Sequence, residues 1–227
     1  MKRIVSIVLV MLGVLPGCIK YHKTLPTEFP QGQAKPDYRD ITANYVKSAR
    51  VYDQFTTRAL FDTLWLSDDV RVAYGKLHCS KRGTAAEDTE AFIDRQREEN
   101  KHWMMFYVLA DVRDRQGTSL SDKNAPWTFY LKVGDYTTAP LSIKEVDLEP
   151  EYQQFFGKQF NLFKTAYAIK FPARDVTEKH KVKPTDAVNL VIEAVDKSVT
   201  LTWPIVGAFK GAVSEKRVVK DEDFYWG

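Results

Sequence analysis

The sequence predicts a mainly β protein: an immunoglobulin-like antiparallel β-sandwich with a two-helix insertion after the first strand. Apolar and polar residues alternate through residues 50–66, which is typical of a strand with one buried face. Short apolar runs follow from residue 103 onward. Six of the 10 prolines lie from Pro126 onward, each at the edge of such a run, where a strand tolerates proline.

Residues 50–66 are predicted to form one long strand, because Val51 and alternate residues from Phe55 to Trp65 are apolar or threonine. A helix is the competing interpretation, since Tyr52, Phe55 and Ala59 would lie on one arc of its surface. The β-branched threonines and the regular alternation favour the strand.

Two helices are predicted between residues 67 and 102. Ser67 suits the N-cap of the first helix, and Gly83 is suited to ending it. Thr84 and Glu87 have the spacing of a capping box, which predicts a second helix through about Lys101. Because its apolar stripe is thin, we expect this second helix to lie on the surface.

From Trp103 onward the sequence indicates strands. The nearly continuous apolar run at 104–112 predicts a central strand covered on both faces. Pro150 at a first helical position and Gly157 after the last one predict a short helix. Counting 51–66 and 104–112, the sequence contains seven candidate strands, close to the number in an immunoglobulin-like sandwich. The remaining five are predicted at 127–133, 141–146, 162–171, 188–195 and 199–203.

The first eighteen residues predict where the protein is located in the cell. Lys2 and Arg3 precede an apolar segment from Ile4 to Leu15. About twelve residues would reach only about 18 Å as a helix, short of the roughly 30 Å hydrocarbon core of a bilayer. The order of charge, apolar segment and small residues therefore predicts a secretory leader that is cut off.

The segment Leu15-Pro16-Gly17-Cys18 resembles the lipobox of bacterial lipoproteins. This resemblance covers only the leader. It implies cleavage before Cys18, diacylglyceryl attachment to its sulfur and usually a third acyl chain such as palmitate. Ile19 is not the aspartate that often signals inner-membrane retention in that family, which implies an outer-membrane location. An ordinary leader that happens to contain a cysteine is the alternative.

The predicted organisation has four parts. A proline-containing segment without an apolar period suits a flexible tether between leader and domain. The C-terminal tail ends in Phe224-Tyr225-Trp226, which could dock a partner or fold back onto a core. The predicted ranges are a signal peptide at 1–17, a lipidated N-terminus and tether at 18–41, a β-sandwich domain at 42–205 containing the helical insertion 67–102, and the tail at 206–227.

Charge and composition exclude some functions. Removal of Lys2 and Arg3 would leave 31 basic side chains against 30 acidic ones, so no overall field attracts nucleic acid. The short basic stretch Lys179–Lys183 is interpreted as a solvated turn, in preference to a site for nucleic acid or lipid headgroups. The tryptophans at 65, 103, 127 and 203 are expected to pack in the core, with sugar or protein contacts as the alternative.

Few side chains form a recognisable catalytic or metal-binding pattern. Glu99 and His102 have the Glu-x-x-His spacing of carboxylate-bridged metal sites, but the sequence lacks a second copy. His78 beside Cys79 suggests zinc, but no further cysteine pair completes four ligands. With Cys18 lipidated, Cys79 is the one remaining thiol and is expected to be inert. No catalytic residue, metal ligand or cofactor is assigned.

These observations predict a membrane-anchored envelope lipoprotein that acts as a structural or interaction module and is not an enzyme. Its expected partners are the membrane, through the lipid anchor, and an envelope protein or glycan, but not nucleic acid. An envelope hydrolase acting on peptidoglycan or polysaccharide through paired carboxylates is the alternative, because 30 acidic residues offer many pairs. A lipid carrier with a pocket beneath the helices is a third possibility.

Overall fold

Two antiparallel β-sheets make up most of the protein in a computed structural model, which describes residues 38–53, 56–113, 119–173 and 187–205. The strands of these ranges are β1 (Val46–Asp53), β2 (Thr56–Trp65), β3 (Trp103–Val112), β4 (Thr128–Val133), β5 (Tyr136–Thr138), β6 (Ser142–Glu145), β7 (Thr165–Pro172), β8 (Ala187–Glu193) and β9 (Ser198–Pro204). The helices there are α1 (Tyr38–Ala43), α2 (Asp68–Arg82), α3 (Ala86–His102) and α4 (Pro150–Phe156).

The five-stranded sheet has the order β1-β2-β3-β7-β6, and the four-stranded sheet has the order β5-β4-β8-β9. All pairs of neighbouring strands are antiparallel. The predicted mainly β class is therefore confirmed.

Both sheets contribute to one apolar core. Phe61 of β2 meets Trp127 at a ring-centroid distance of 5.2 Å, and Phe106 of β3 meets Trp203 of β9 at 5.5 Å. All four rings are almost completely buried, and each removes a large apolar area from water. The indole Nε1 of Trp203 donates to the carbonyl oxygen of Tyr45 at 2.9 Å, so this buried polar atom is satisfied.

The opposite face of the five-stranded sheet is covered by helices. Leu64 of β2 and Leu109 of β3 join a second apolar cluster with Val70 of α2 and Phe155 of α4. Strand β3 therefore contributes residues to the cores on both of its faces, as the apolar run at 104–112 predicted.

The single strand predicted at 50–66 is wrong, because β1 and β2 form an antiparallel hairpin there. Ala49 and Val51 in β1, and Ala59 and Phe61 in β2, are all buried. Since odd-numbered residues face the core in both strands, the period-two pattern continues through the reversal unchanged. No Asn-Gly or Asp-Gly dipeptide marks the turn. The two helices therefore follow the second strand and not the first.

The predicted bounds of α2 are confirmed. Ser67 Oγ accepts a hydrogen bond from the backbone N–H of Val70 at 3.4 Å, and Gly83 has a φ of 65°, which favours glycine. The capping box predicted for α3 is wrong, because its N-cap is Ala85, which makes no side-chain bond. Of the side chains of α3 only Ile93 is buried, as expected for a surface helix.

The later elements follow the sequence prediction, except that the strand predicted at 162–171 begins at Thr165 and residues 162–164 form a turn. Phe129, Leu131 and Val133 of β4 are buried in alternation, and the helix between Pro150 and Gly157 is present. Strand β5 was not predicted, because three residues are too few to show a period.

Some sequence predictions fall outside the described ranges. The leader with Cys18, the basic stretch 179–183 and the C-terminal Phe224-Tyr225-Trp226 are among them. Helix α1 begins at Tyr38, within the range predicted as tether. In the ranges that the structure describes, none of the helices has the length and hydropathy needed to span a bilayer.

Arg71 of α2 joins this helix to α3. Its side chain is only 4% exposed and donates to Gln96 Oε1 at 2.8 Å, Glu99 Oε2 at 2.7 Å and Asn100 Oδ1 at 3.0 Å. A buried guanidinium without such acceptors would be strongly unfavourable. Arg71 therefore binds three polar side chains of α3 to α2.

We expect the Arg71→Ala substitution to lower the free energy of unfolding by about 3 kcal/mol, because three acceptors lose their donor and a buried volume is emptied. Urea denaturation measures this change. The matched control is Arg97→Ala on the same helix layer, whose pair with Asp94 is exposed; it should cost no more than about 0.5 kcal/mol. Equal losses in the two variants would contradict the role given to Arg71.

Candidate functional site

Glu99 of the Glu-x-x-His pair is engaged in an ion pair with α2. Glu99 is bound to the Arg71 guanidinium at 2.7 Å, which uses its carboxylate for holding α3. His102 is the last residue of α3, half-buried at the junction with β3. Glu99 therefore joins α3 to α2 through the Arg71 guanidinium.

His78 lies beside two carboxylates that the sequence did not associate with it. Glu149 and Glu151, at the start of α4, each place an oxygen within 4.8 Å of a His78 ring nitrogen and of one another. We call His78, Glu149 and Glu151 the His78 cluster. Cys79, the other half of the predicted zinc pair, is buried and is not part of the cluster.

The cluster forms because α2 and α4 pack side by side on the sheet. Tyr74 of α2 stacks on Tyr152 of α4 with ring centroids 4.4 Å apart and planes 8° from parallel. His78 lies one helical turn after Tyr74 and on the same face of α2. On α4, Glu151 directly precedes Tyr152, and its Oε1 atom lies 3.9 Å from His78 Nδ1. A tertiary contact between aromatic rings thus brings together residues far apart in the chain.

The imidazole of His78 is held in a fixed plane but lacks a hydrogen bond. Its ring stacks on Phe92 of α3 with centroids 5.3 Å apart and planes 6° from parallel. Its Nδ1 atom is buried without a hydrogen-bond partner, and Glu151 Oε1 lies 3.9 Å away, too far for a hydrogen bond. Lys81 Nζ lies 3.5 Å from the same Glu151 oxygen.

Glu149 is oriented by a tyrosine. The Tyr74 hydroxyl donates to Glu149 Oε2 at 2.6 Å. Burial, reinforced by this hydrogen bond and by the nearby carboxylates, raises the pKa of Tyr74 above its ordinary value of 10.0. The phenol therefore stays protonated at neutral pH and remains a donor to the carboxylate.

A polar pocket of about 270 Å³ lies on the helix-side face of β1 and β2, beside the segment 157–164. Asp62 and Lys164 form a buried ion pair in its lining, with Nζ and Oδ2 2.5 Å apart. The Ser48 hydroxyl donates to the other oxygen of Asp62, and Lys164 Nζ also donates to the carbonyl oxygen of Gln159. The pair therefore connects the segment 157–164 to the sheet.

The same segment exposes two adjacent large apolar side chains, Leu162 and Phe163, which we call the apolar tip. They are 93% and 90% exposed. Asn161 shapes the turn, since its Oδ1 accepts from the N–H of Phe163 at 3.0 Å. Single exposed apolar residues are common on protein surfaces, and the apolar tip places two of them side by side on one turn.

The tryptophans divide into two groups. Trp65, Trp127 and Trp203 are buried in the core shared by the sheets, as expected. Trp103 differs, because it is 43% exposed at the start of β3.

Comparison of the sequence with protein-family models and with curated proteins finds no match.

We expect Lys164→Met to lower the free energy of unfolding at neutral pH by about 3 kcal/mol, because it leaves the Asp62 carboxylate buried without its cation. Adding Asp62→Asn to the same chain should restore much of this loss, since a neutral amide needs no counter-ion. Chemical denaturation of the three chains checks it. A double variant less stable than Lys164→Met would argue against a buried ion pair.

Proposed function

We propose that this protein is an outer-membrane lipoprotein of the bacterial envelope, anchored by acyl chains on Cys18, whose folded part is an interaction module. The leader supports the anchor, because a charged start, a short apolar segment and a terminal Gly17-Cys18 pair occur together. Two or three acyl chains would make the attachment effectively permanent. The folded part would then meet its partner outside the cytoplasm.

We further propose that the folded part is an immunoglobulin-like β-sandwich with a helical insertion. If β2 corresponds to strand A of that fold, the order β2-β3-β7-β6 corresponds to A-B-E-D. The order β5-β4-β8-β9 then corresponds to C′-C-F-G. Strand β1 is an additional edge strand, and α2 and α3 are inserted between A and B. This correspondence supports a binding scaffold, since loops and edges of such sandwiches commonly carry contacts.

The apolar tip is the observation that carries the interaction role. Burying a leucine or phenylalanine side chain on binding is worth roughly 1.5–3 kcal/mol, and aromatic residues are enriched where partners meet. Because Lys164 pins the end of the turn to Asp62, little conformational freedom would be lost when a partner covers the tip. The favoured partner is therefore an envelope protein or glycan with an apolar depression.

The hydrolase alternative gains no support from the polar pocket. Its lining contains the single acid Asp62, which is already paired with Lys164 and Ser48. Cleavage of a glycosidic bond by the usual mechanism needs two carboxylates facing the substrate.

We expect Cys18→Ser to abolish metabolic labelling with palmitate and to move the protein from the membrane to the soluble fraction, because the acylated sulfur is lost. The matched control is Cys79→Ser, which changes the buried thiol and should leave both labelling and membrane attachment intact. A Cys18→Ser chain that is still labelled and still sediments with membranes would contradict the anchor.

The interaction role is tested by placing a photo-crosslinking residue at position 163 or, as control, at position 195, where Val195 is fully exposed. In intact cells we expect a reproducible adduct from position 163 and not from position 195. The double substitution of Leu162 and Phe163 by serine should abolish recovery of that partner by chemical crosslinking while changing stability by less than about 0.5 kcal/mol. Equal adducts from both positions, or none from 163, would contradict the proposal.

A further inference from the structure

We propose that the His78 cluster binds a divalent transition-metal cation of the zinc type. This inference is independent of the proposed anchor and partner, because it rests only on α2, α3 and the start of α4. One imidazole nitrogen and two carboxylate oxygens form a donor set that zinc accepts. The two carboxylates of Glu149 and Glu151 together match the charge of one divalent cation.

The buried, unpartnered nitrogen of His78 is the observation that carries the proposal. Buried polar atoms are nearly always hydrogen-bonded, so a His Nδ1 atom without a partner needs an explanation. Two atoms that are both about 2.1 Å from one tetrahedral zinc ion are roughly 3.4 Å apart. His78 Nδ1 and Glu151 Oε1 are 3.9 Å apart, so a shift of a few tenths of an ångström would let both reach the same ion.

The third donor is within reach of the same position. Glu149 offers an oxygen within 4.8 Å of a His78 ring nitrogen and of a Glu151 carboxylate oxygen, and its side chain is exposed. The Tyr74 hydroxyl donates to Glu149 Oε2 at 2.6 Å, and Phe92 stacks on the His78 ring. Such contacts around the ligands orient them and raise metal affinity. With three protein ligands, the fourth position would be left for water.

Lys81 provides a test that distinguishes a metal site from a structural ion pair. Its Nζ lies 3.5 Å from Glu151 Oε1, while its side chain is 41% exposed, so the ammonium can move into solvent when an ion binds. Lys81 is therefore a competitor of the metal for Glu151. Removing the Lys81 ammonium should therefore strengthen metal binding. If the contact between Lys81 and Glu151 were only structural, the same change would not increase metal affinity.

The experiment uses the full chain, freed of metal with a chelator and titrated with Zn²⁺ in a calorimeter. We expect one zinc ion per chain and a thermal transition that rises with Zn²⁺. His78→Phe, which preserves the stacking on Phe92, should weaken binding on the order of a hundredfold, and Glu151→Gln similarly. Lys81→Met should tighten binding several-fold.

Glu98→Gln is the matched control, because Glu98 pairs with Lys101 on the exposed side of α3 and should leave the affinity unchanged. Thermal unfolding without metal verifies that each variant folds. X-ray absorption at the zinc edge should show a shell of nitrogen and oxygen ligands together with the outer-shell scattering of one imidazole ring. No binding by the unsubstituted chain, undiminished binding by His78→Phe, or weaker binding by Lys81→Met would each overturn the proposal.

Discussion

The structure depends on two neighbouring strands, β2 and β3, that contribute apolar side chains to both faces of the five-stranded sheet. One face supplies Phe61 and Phe106 to the core shared with the four-stranded sheet, and the other supplies Leu64 and Leu109 to the core beneath the helices. Because these strands lie inside the five-stranded sheet, their backbone groups are paired on both sides. Strands β2 and β3 thus pack against the four-stranded sheet on one side and against the helices on the other.

Both candidate sites derive their geometry from that arrangement. Stacking of Tyr74 on Tyr152 sets α2 beside α4, which brings His78 to the carboxylates at the start of α4. The chain that leaves α4 turns back toward β7, and the pair of Lys164 with Asp62 holds that turn against the sheet. The apolar tip is therefore presented on a fixed segment, and the His78 cluster lies between packed helices.

Periodicity and cap residues predict most of the elements, but they cannot locate features that depend on tertiary contacts. The hairpin at β1 and β2 was missed because the apolar pattern keeps the same phase in both strands. The apolar tip was assigned to a strand at 162–171, since Leu162 and Phe163 continue an apolar run and only the fold shows that they are exposed.

The functional residues illustrate the same limit. The sequence pattern associates His78 only with its neighbour Cys79. Its carboxylate neighbours Glu149 and Glu151 are separated from it in the chain by helix α3 and strands β3 to β6. The spacing of Glu99 and His102 suggested a metal site, but the buried Arg71 takes up Glu99. Local spacing predicts which side chains share a helix face, and it carries no information on which face another helix will cover.

The central claim, that the two sheets are held together by direct aromatic contact, is tested most directly by a double-mutant cycle between Phe61 and Trp127, whose ring centroids are 5.2 Å apart. Unfolding free energies of Phe61→Leu, Trp127→Leu and the double variant give the coupling. The structure predicts a coupling of about 1 kcal/mol. Additive effects, within about 0.3 kcal/mol, would contradict it.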